Sequence, residues 1–303
     1  MIELYLVTGF LGAGKTTLLR NLIKLLAPRK LRLIINEFGK VGVDGALLAD
    51  AGAALYEVNN GSIFCSCRLD KFEGTLDAVL EERPDAVVVE ASGLSDPSAV
   101  RSVLGAEKYA DFEYKGAICV VDAERFHKIF VTARVCRKQL AVSGLVVVNK
   151  ADLVSSEELD AVEDTIRENY PNADVRLTRF GQVEPDWLEA LSRVRAPDAV
   201  VEDRDLTMQK YTVRIRASMS REELAHFIRM FAEETYRVKG FVRLRDGLYL
   251  ADCVGTDVKI TPWTGDAPAG TGALVALAGR AMNPRKAIRS AMAWYPGKAE
   301  SFE

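Results

Sequence analysis

The chain has little of what most often holds a transition metal or ties an extracellular fold together. It contains two histidines and five cysteines in 303 residues, and an odd, sparse set of cysteines argues for thiols or metal ligands against a disulfide framework. It has no long run of Lys or Arg, and its formal charge is −3. Nucleic acid is therefore excluded as the expected partner. No apolar run is long enough to span a bilayer, so no membrane partner is expected either. A strand already begins at Ile2, which leaves no room for a signal peptide and leads to the expectation of a cytoplasmic protein. Internal repeats and low-complexity tracts are also lacking. What remains is an ordinary globular composition, 49% hydrophobic and 27% charged, at a length that suggests about two domains.

One stretch organises the rest. Gly9-Phe10-Leu11-Gly12-Ala13-Gly14-Lys15-Thr16-Thr17 fits the phosphate-loop pattern G-x-x-x-x-G-K-[ST] at every fixed position. Ile2 to Val7 reads as the strand entering it, and Leu18, Leu19, Leu22, Ile23, Leu25 and Leu26 mark the helix leaving it. Glycines let the backbone wrap closely round phosphates, and the positive end of the helix dipole faces the same charge. Gly12, Ala13, Gly14, Lys15, Thr16 and Thr17 are thus the expected triphosphate contacts. Lys15 reaches the β- and γ-phosphates and Thr16 binds magnesium.

Later segments supply the remaining parts of a nucleotide site. Leu31 to Asn36 reads as a strand ending in Glu37-Phe38-Gly39-Lys40-Val41-Gly42-Val43-Asp44-Gly45, whose three glycines suit a switch ordered by the γ-phosphate. Glu37 and Asp44 are its candidates to meet water or magnesium, or else they are solvated loop acids. Asp85 to Val89 reads as a buried strand that delivers Glu90-Ala91-Ser92-Gly93. There the Glu90 carboxylate would hold magnesium's water shell, and the Gly93 N–H would meet the γ-phosphate. Ala117 to Asp122 and Gly144 to Val148 read as two more buried strands, the second opening into Asn149-Lys150-Ala151-Asp152. In N-K-x-D the Asp carboxylate accepts from both donors on the guanine edge, the Lys stem lies along the base and Asn braces the loop. Adenine lacks that donor pair, so GTP and GDP are expected over ATP. Asp174 to Thr178 reads as a last strand, leading to Arg179-Phe180-Gly181, a loop placed to close over the base.

The fold class that follows is α/β: a P-loop NTPase domain with a mainly parallel sheet over 1–195, then a smaller α+β C-terminal domain. The linker is expected at 196–207, where acidic residues and Pro197 interrupt any period, and the second domain at 208–303. In the latter, Lys210 to Arg216 alternates like a half-exposed strand and Arg221 to Tyr236 reads as a helix. Asp246-Gly247 marks a hairpin, and Trp294 to Glu303 a loosely held tail.

Cys65-Ser66-Cys67 is the least ordinary feature. Two thiolates one residue apart suit zinc, copper(I) or another thiophilic metal, whereas a disulfide across one residue would be strained. A closed zinc site usually needs four ligands, so the others must come from elsewhere in the chain, solvent or another subunit, which keeps a homodimer open. His127 and His226 read as structural or exposed, and Cys119, Cys136 and Cys253 as packing residues.

Together these residues resemble the CobW-like family of P-loop GTPases, relatives of the nickel-insertion GTPases of hydrogenase and urease. The resemblance runs through Gly9 to Thr17, Asn36-Glu37-Phe38-Gly39, Asn59-Asn60-Gly61, Glu90-Ala91-Ser92-Gly93, Asn149 to Asp152 and Lys239-Gly240-Phe241. It implies slow GTP hydrolysis, with Lys15, Glu90 and Glu37 as the catalytic candidates and Thr16, Glu90 and Asp44 around magnesium. It also implies delivery of a metal, or of a metal-containing cofactor such as a corrinoid, to a client metalloprotein or cofactor protein. The family hallmark G-C-x-C-C is altered here: Ser62-Ile63-Phe64-Cys65 follows Gly61, Cys67 is added, and Lys40 stands where the family commonly has Glu. Both departures remove ligands, and a lysine repels a cation. Two functions therefore stand side by side, a GTP-hydrolysing metal or metallocofactor chaperone and a GTP-controlled protein-binding switch that handles no metal. A small-molecule kinase is disfavoured by Asn149 to Asp152 and by the lack of an evident lid.

Overall fold

The computed structural model describes residues 1–37, 54–59, 69–191, 208–268, 270–279 and 282–302. It divides into two compact units, Met1–Asp203 and Arg204–Glu303. The stretch expected to link two domains, 196–207, lies outside the described residues.

The first unit is built on β1 (Ile2–Gly9), which stands in the middle of a seven-stranded sheet. To one side lie β4 (Ala86–Glu90), β2 (Leu31–Glu37) and β3 (Ala54–Asn59), and to the other β5 (Phe112–Asp122), β6 (Leu145–Asn149) and β7 (Asp174–Leu177). Every pairing among them is parallel. A wholly parallel sheet has to be covered on both faces. Side chains alternate along β1 accordingly. Tyr5 and Val7 enter one core with Leu18, Leu19, Leu22, Ile23 and Leu26 of α1 (Lys15–Leu26). Leu4 and Leu6 enter the opposite core with Phe72, Leu76 and Val79 of α2 (Leu69–Glu82). Fully burying a side chain such as Leu18 or Phe72 contributes about 1.5–3 kcal/mol.

Two features differ from the sequence reading. β3 is an additional edge strand, in register with β2 from Arg32↔Ala54 to Glu37↔Asn59. β5 starts at Phe112, earlier than its apolar run at Ala117, because parallel pairing with β1 extends along the whole length of that strand.

Between β4 and β6 lie three short helices, α3 (Ala99–Leu104), α4 (Phe126–Thr132) and α5 (Arg134–Ala141). α6 (Ser156–Asn169) begins with a capping box in which Ser155 and Glu158 satisfy each other's backbone N–H. α7 (Pro185–Leu191) completes the unit and adds Trp187, Leu188 and Leu191 to the core that holds α1.

The second unit is an antiparallel six-stranded sheet made by β8 (Met208–Ile215), β9 (Arg237–Leu244), β10 (Gly247–Val254), β11 (Asp257–Pro262), β12 (Ala273–Gly279) and β13 (Ala299–Phe302). Their spatial order is β11-β10-β9-β12-β8-β13. One face is packed by α8 (Arg221–Ala232), through Leu224, Phe227, Ile228 and Phe231, and by α9 (Pro284–Trp294), through Ile288 and Ala291. Three expectations are corrected here. The helix from Arg221 stops at Ala232, where Thr235 Oγ1 bonds back to the Ala232 carbonyl and Tyr236 N–H joins the sheet by donating to Leu277 O at 2.7 Å. The hairpin turns on Arg245-Asp246, since Gly247 already pairs with Leu244. The last residues are an edge strand against β8, and the Lys298 ammonium is paired with Glu223, so they are not a loose tail. Among the described residues no helix is long and apolar enough to cross a membrane.

Candidate nucleotide site

The carboxyl ends of β1, β4, β5 and β6 bring most of the expected residues to one edge of the parallel sheet. At the end of β1 the chain turns through the phosphate loop, where Ala13 N–H donates to Phe10 O at 3.3 Å. Gly14 has φ 102°, and a Cβ there would fall 2.2 Å from Asn149 Nδ2. Only glycine fits such a place. Lys15 is 8% exposed, and its ammonium donates to Gly9 O at 2.9 Å and to Phe10 O at 3.2 Å. The cation is thus held over the loop's own backbone. α1 starts at Lys15 with no acidic residue in its first turn, so its own sequence leaves the positive end of its dipole uncompensated. Thr16 is half-buried and Thr17 exposed on that turn.

Glu90 ends β4 in register with Val7 of β1 and is buried. The turn after it brings Gly93 onto the phosphate loop so closely that a Cβ would meet Leu11 N at 2.9 Å and Leu11 Cδ2 at 2.6 Å. A buried carboxylate at Glu90 and a half-buried hydroxyl at Thr16 offer hard oxygen donors, the kind that fits magnesium.

At the other end of the site, Asn149 ties two loops together. Its Nδ2 donates to Ala13 O at 2.9 Å, while its Oδ1 accepts from Gly181 N–H at 2.9 Å. Gly181 and Phe180 are also fastened to α1, since Asn21 Nδ2 donates to their carbonyls at 2.8 and 3.0 Å. The Arg179-Phe180-Gly181 loop is therefore held by both the phosphate-loop helix and Asn149. Phe180 projects from it, 71% exposed. Lys150 has a left-handed backbone, φ 62°, and its Nζ pairs with Asp122 Oδ2 at 2.5 Å. Asp122 is almost fully buried at the end of β5, opposite Asn149 in the sheet register, and its other oxygen accepts from Glu124 N–H at 3.1 Å. Asp152 is exposed in the short turn Ala151–Leu153.

Asp122 and Asn21 carry no role in the sequence reading. Asp122 has the same signature as Glu90, an acid closing a buried strand, and could have been found by it. Asn21 has no local signal, because its partners lie far along the chain. Of Glu37 only the backbone at the end of β2 is described, and Asp44, Cys65 and Cys67 lie outside the described residues. Burial pushes the Cys136 and Cys253 thiols up to about 12 and the Cys119 thiol well above its ordinary value. They stay protonated at neutral pH and are poor metal ligands. His127 is exposed, and His226 Nδ1 lies 2.9 Å from the Tyr295 hydroxyl. Among the described residues no three His, Cys, Asp or Glu side chains are grouped to hold a metal.

Residues 3–176 match the family described as CobW/HypB/UreG, nucleotide-binding domain, and residues 208–293 match the Cobalamin synthesis protein cobW C-terminal domain. The zinc chaperone YeiR of Escherichia coli (strain K12) is 31% identical over 192 residues, covering 62% of this chain and 58% of its own length. The zinc chaperone CobW of Sinorhizobium sp is 36% identical over 194 residues, covering 53% of this chain and 54% of its own. The matches thus span little more than half the length of these curated relatives. A crystal structure of a Zn(II)-bound triple mutant of YjiA GTPase superimposes with a TM-score of 0.50 at 19% identity, covering 97% of this chain and 98% of that one. At that identity the likeness is one of fold.

Proposed function

Since the chain belongs to the CobW/HypB/UreG family, we propose that it binds GTP, hydrolyses it slowly to GDP and phosphate, and uses that cycle to assist insertion of a metal or metal-containing cofactor into a client protein. The observation that carries the nucleotide reading is the pair of hydrogen bonds made by Asn149, which joins the phosphate loop at Ala13 to the base-side loop at Gly181. A side chain that sets the distance between the two loops suits a ligand with a phosphate end and a base end.

In this reading the amides from Gly12 to Thr17 and the Lys15 ammonium take the phosphates, and the Gly93 N–H meets the γ-phosphate. Asp152 accepts from the guanine edge, and Lys150, oriented by Asp122, lies along the base. Magnesium, when bound, neutralises charge on the β- and γ-phosphates. Thr16 and Glu90 would hold it, with Asp44 from the glycine-rich stretch. Glu37 and Glu90 are the carboxylates proposed to orient the attacking water.

The cargo half of the proposal draws on the relatives, which are named zinc chaperones. Cys65 and Cys67 are the proposed soft ligands for the delivered metal, and a corrinoid is the proposed alternative cargo. A second reading, a GTP-controlled protein-binding switch without metal, is favoured by Ser62-Ile63-Phe64, which stand where the family hallmark places two of its cysteines.

The nucleotide half is tested by magnesium-dependent phosphate release. Glu90→Ala should keep GTP affinity within about threefold while turnover falls about a hundredfold, as for loss of one positioned catalytic group. Native-rate hydrolysis by Glu90→Ala would remove that residue from the mechanism. The cargo half is tested by metal analysis of protein purified without a histidine tag. Metal retained by native protein and lost from Cys65→Ser/Cys67→Ser supports the chaperone, and equal metal content of both favours the switch.

A further inference from the structure

α5 carries a buried polar side chain that none of the nucleotide motifs uses. Gln139 is fully buried, and its Nε2 donates to Gly93 O at 3.3 Å and to Ser95 O at 3.2 Å. Because both partners are carbonyls, the amide can only face them as a donor, which fixes its orientation. A buried amide N–H is costly unless it is bonded, so these two contacts hold the Gln139 Nε2 and the 93–95 backbone to each other, while Oε1 has no hydrogen-bond partner among the described residues. The preceding residue of α5 adds a second grip. Lys138 Nζ pairs with Asp96 Oδ2 at 2.9 Å, and Asp96 Oδ1 accepts from Ser98 N–H at 3.1 Å.

The segment gripped in this way is the one that follows Glu90. On its other sides Gly93 lies against Leu11 of the phosphate loop, and Ser95 Oγ is 3.4 Å from Asn36 Oδ1 at the end of β2. Gly93 through Asp96 are therefore held between the phosphate loop, the end of β2 and two successive side chains of α5. The Gly93 N–H shares its peptide plane with the Ser92 carbonyl, which accepts from Ser95 N–H at 2.9 Å, so Gln139, by holding Ser95 through its carbonyl, steadies the plane that carries the Gly93 N–H while its bond to Gly93 O holds the plane that follows.

We propose that Gln139, assisted by Lys138, is a positioning residue for the γ-phosphate contact: it aims the Gly93 N–H in advance, so that the protein tells GTP from GDP. The proposal rests on the reading of Gly93 given above. Gln139 touches neither phosphate nor water in this account, so its removal should change discrimination between the two nucleotides and leave the grip on GDP intact.

The test compares native protein, Gln139→Leu and Lys138→Met by calorimetry with GDP and with a non-hydrolysable GTP analogue, followed by single-turnover hydrolysis. Gln139→Leu removes both donors at similar volume and should weaken the GTP analogue about tenfold, within the usual range of site couplings, with GDP affinity unchanged within about twofold. The hydrolysis rate at saturating GTP should fall as well. Lys138→Met, which leaves the buried amide in place, should shift the analogue about threefold in the same direction and decides the matter if Gln139→Leu does not fold. Equal weakening of GDP and analogue would show a merely structural role, and unchanged discrimination would show no role; either overturns the proposal. Failure of the native protein to bind guanine nucleotides, or to distinguish the two, would instead overturn the function on which it rests.

Discussion

The two ends of the candidate site are built from different materials. On the proposed reading the contacts of the phosphate end come mainly from main chain, namely a loop that needs glycine at Gly14, the start of α1 and a close approach of Gly93 to Leu11, with the Lys15 ammonium laid over the loop. On the same reading the base end relies on side chains, Asp152 and Lys150, with Asp122 paired to Lys150 and Asn149 joining the two loops. The difference follows from the ligand parts. Phosphate oxygens accept hydrogen bonds from any direction and suit a ring of backbone donors. A base is recognised by one edge and needs donors and acceptors of fixed identity. Affinity should therefore depend most on the phosphate end, and identity of the nucleotide on the base end.

The largest effect that would sharpen this contrast is expected at Lys15. Lys15→Ala removes hydrogen bonds to charged oxygens at about 2 kcal/mol each, so GTP and ATP should both weaken by roughly a thousandfold in calorimetry, with their ratio unchanged. Asp152→Asn should do the opposite. It should cost GTP roughly a hundredfold and transfer preference to xanthosine triphosphate, whose edge presents an acceptor where guanine has a donor. A comparable loss for every nucleotide would erase the distinction between the two ends. Asn149→Ala tests what joins them, since it leaves Ala13 O and Gly181 N–H without their partner. It should destabilise the first unit by about 2–6 kcal/mol in thermal or denaturant melts, at about 1–3 kcal/mol for each of the two buried groups. The smallest effect is expected for Asp122→Asn, which weakens a pair whose lysine is partly in solvent. GTP should lose about threefold in affinity and ATP less, a difference that isotope-labelled competition can resolve.

How much of this could be read from the sequence divides along the same line. Gly9 to Thr17 and Asn149 to Asp152 were legible because each is a run of neighbouring residues in which backbone requirement and side-chain chemistry coincide, and the strand before each motif was marked by a continuous apolar run. Glu90 was legible for the same reason. Asp122, Asn21 and Gln139 were not, because what they do depends on partners brought near by the sheet: Asp122 meets Lys150 only through the β5–β6 register, and Gln139 meets Gly93 only once α5 is packed. Two of the edge strands were also hidden, whereas Asp174 to Thr178 was read as a strand. β3 and β13 are short segments whose pairing is decided by β2 and β8, and nothing in six or four residues of mixed character announces it. The turn at Arg245-Asp246 was misplaced by one residue, since Gly247 is already paired with Leu244.

The most direct test of the account is calorimetric titration of the native protein with GTP and ATP under identical magnesium and salt. A carboxylate at Asp152 matched to two guanine donors, and left unpaired by adenine, predicts that GTP binds at least about a hundredfold more tightly than ATP. Equal affinity for the two would contradict the assignment of the base end and, with it, the reading of this protein as one that binds guanine nucleotides.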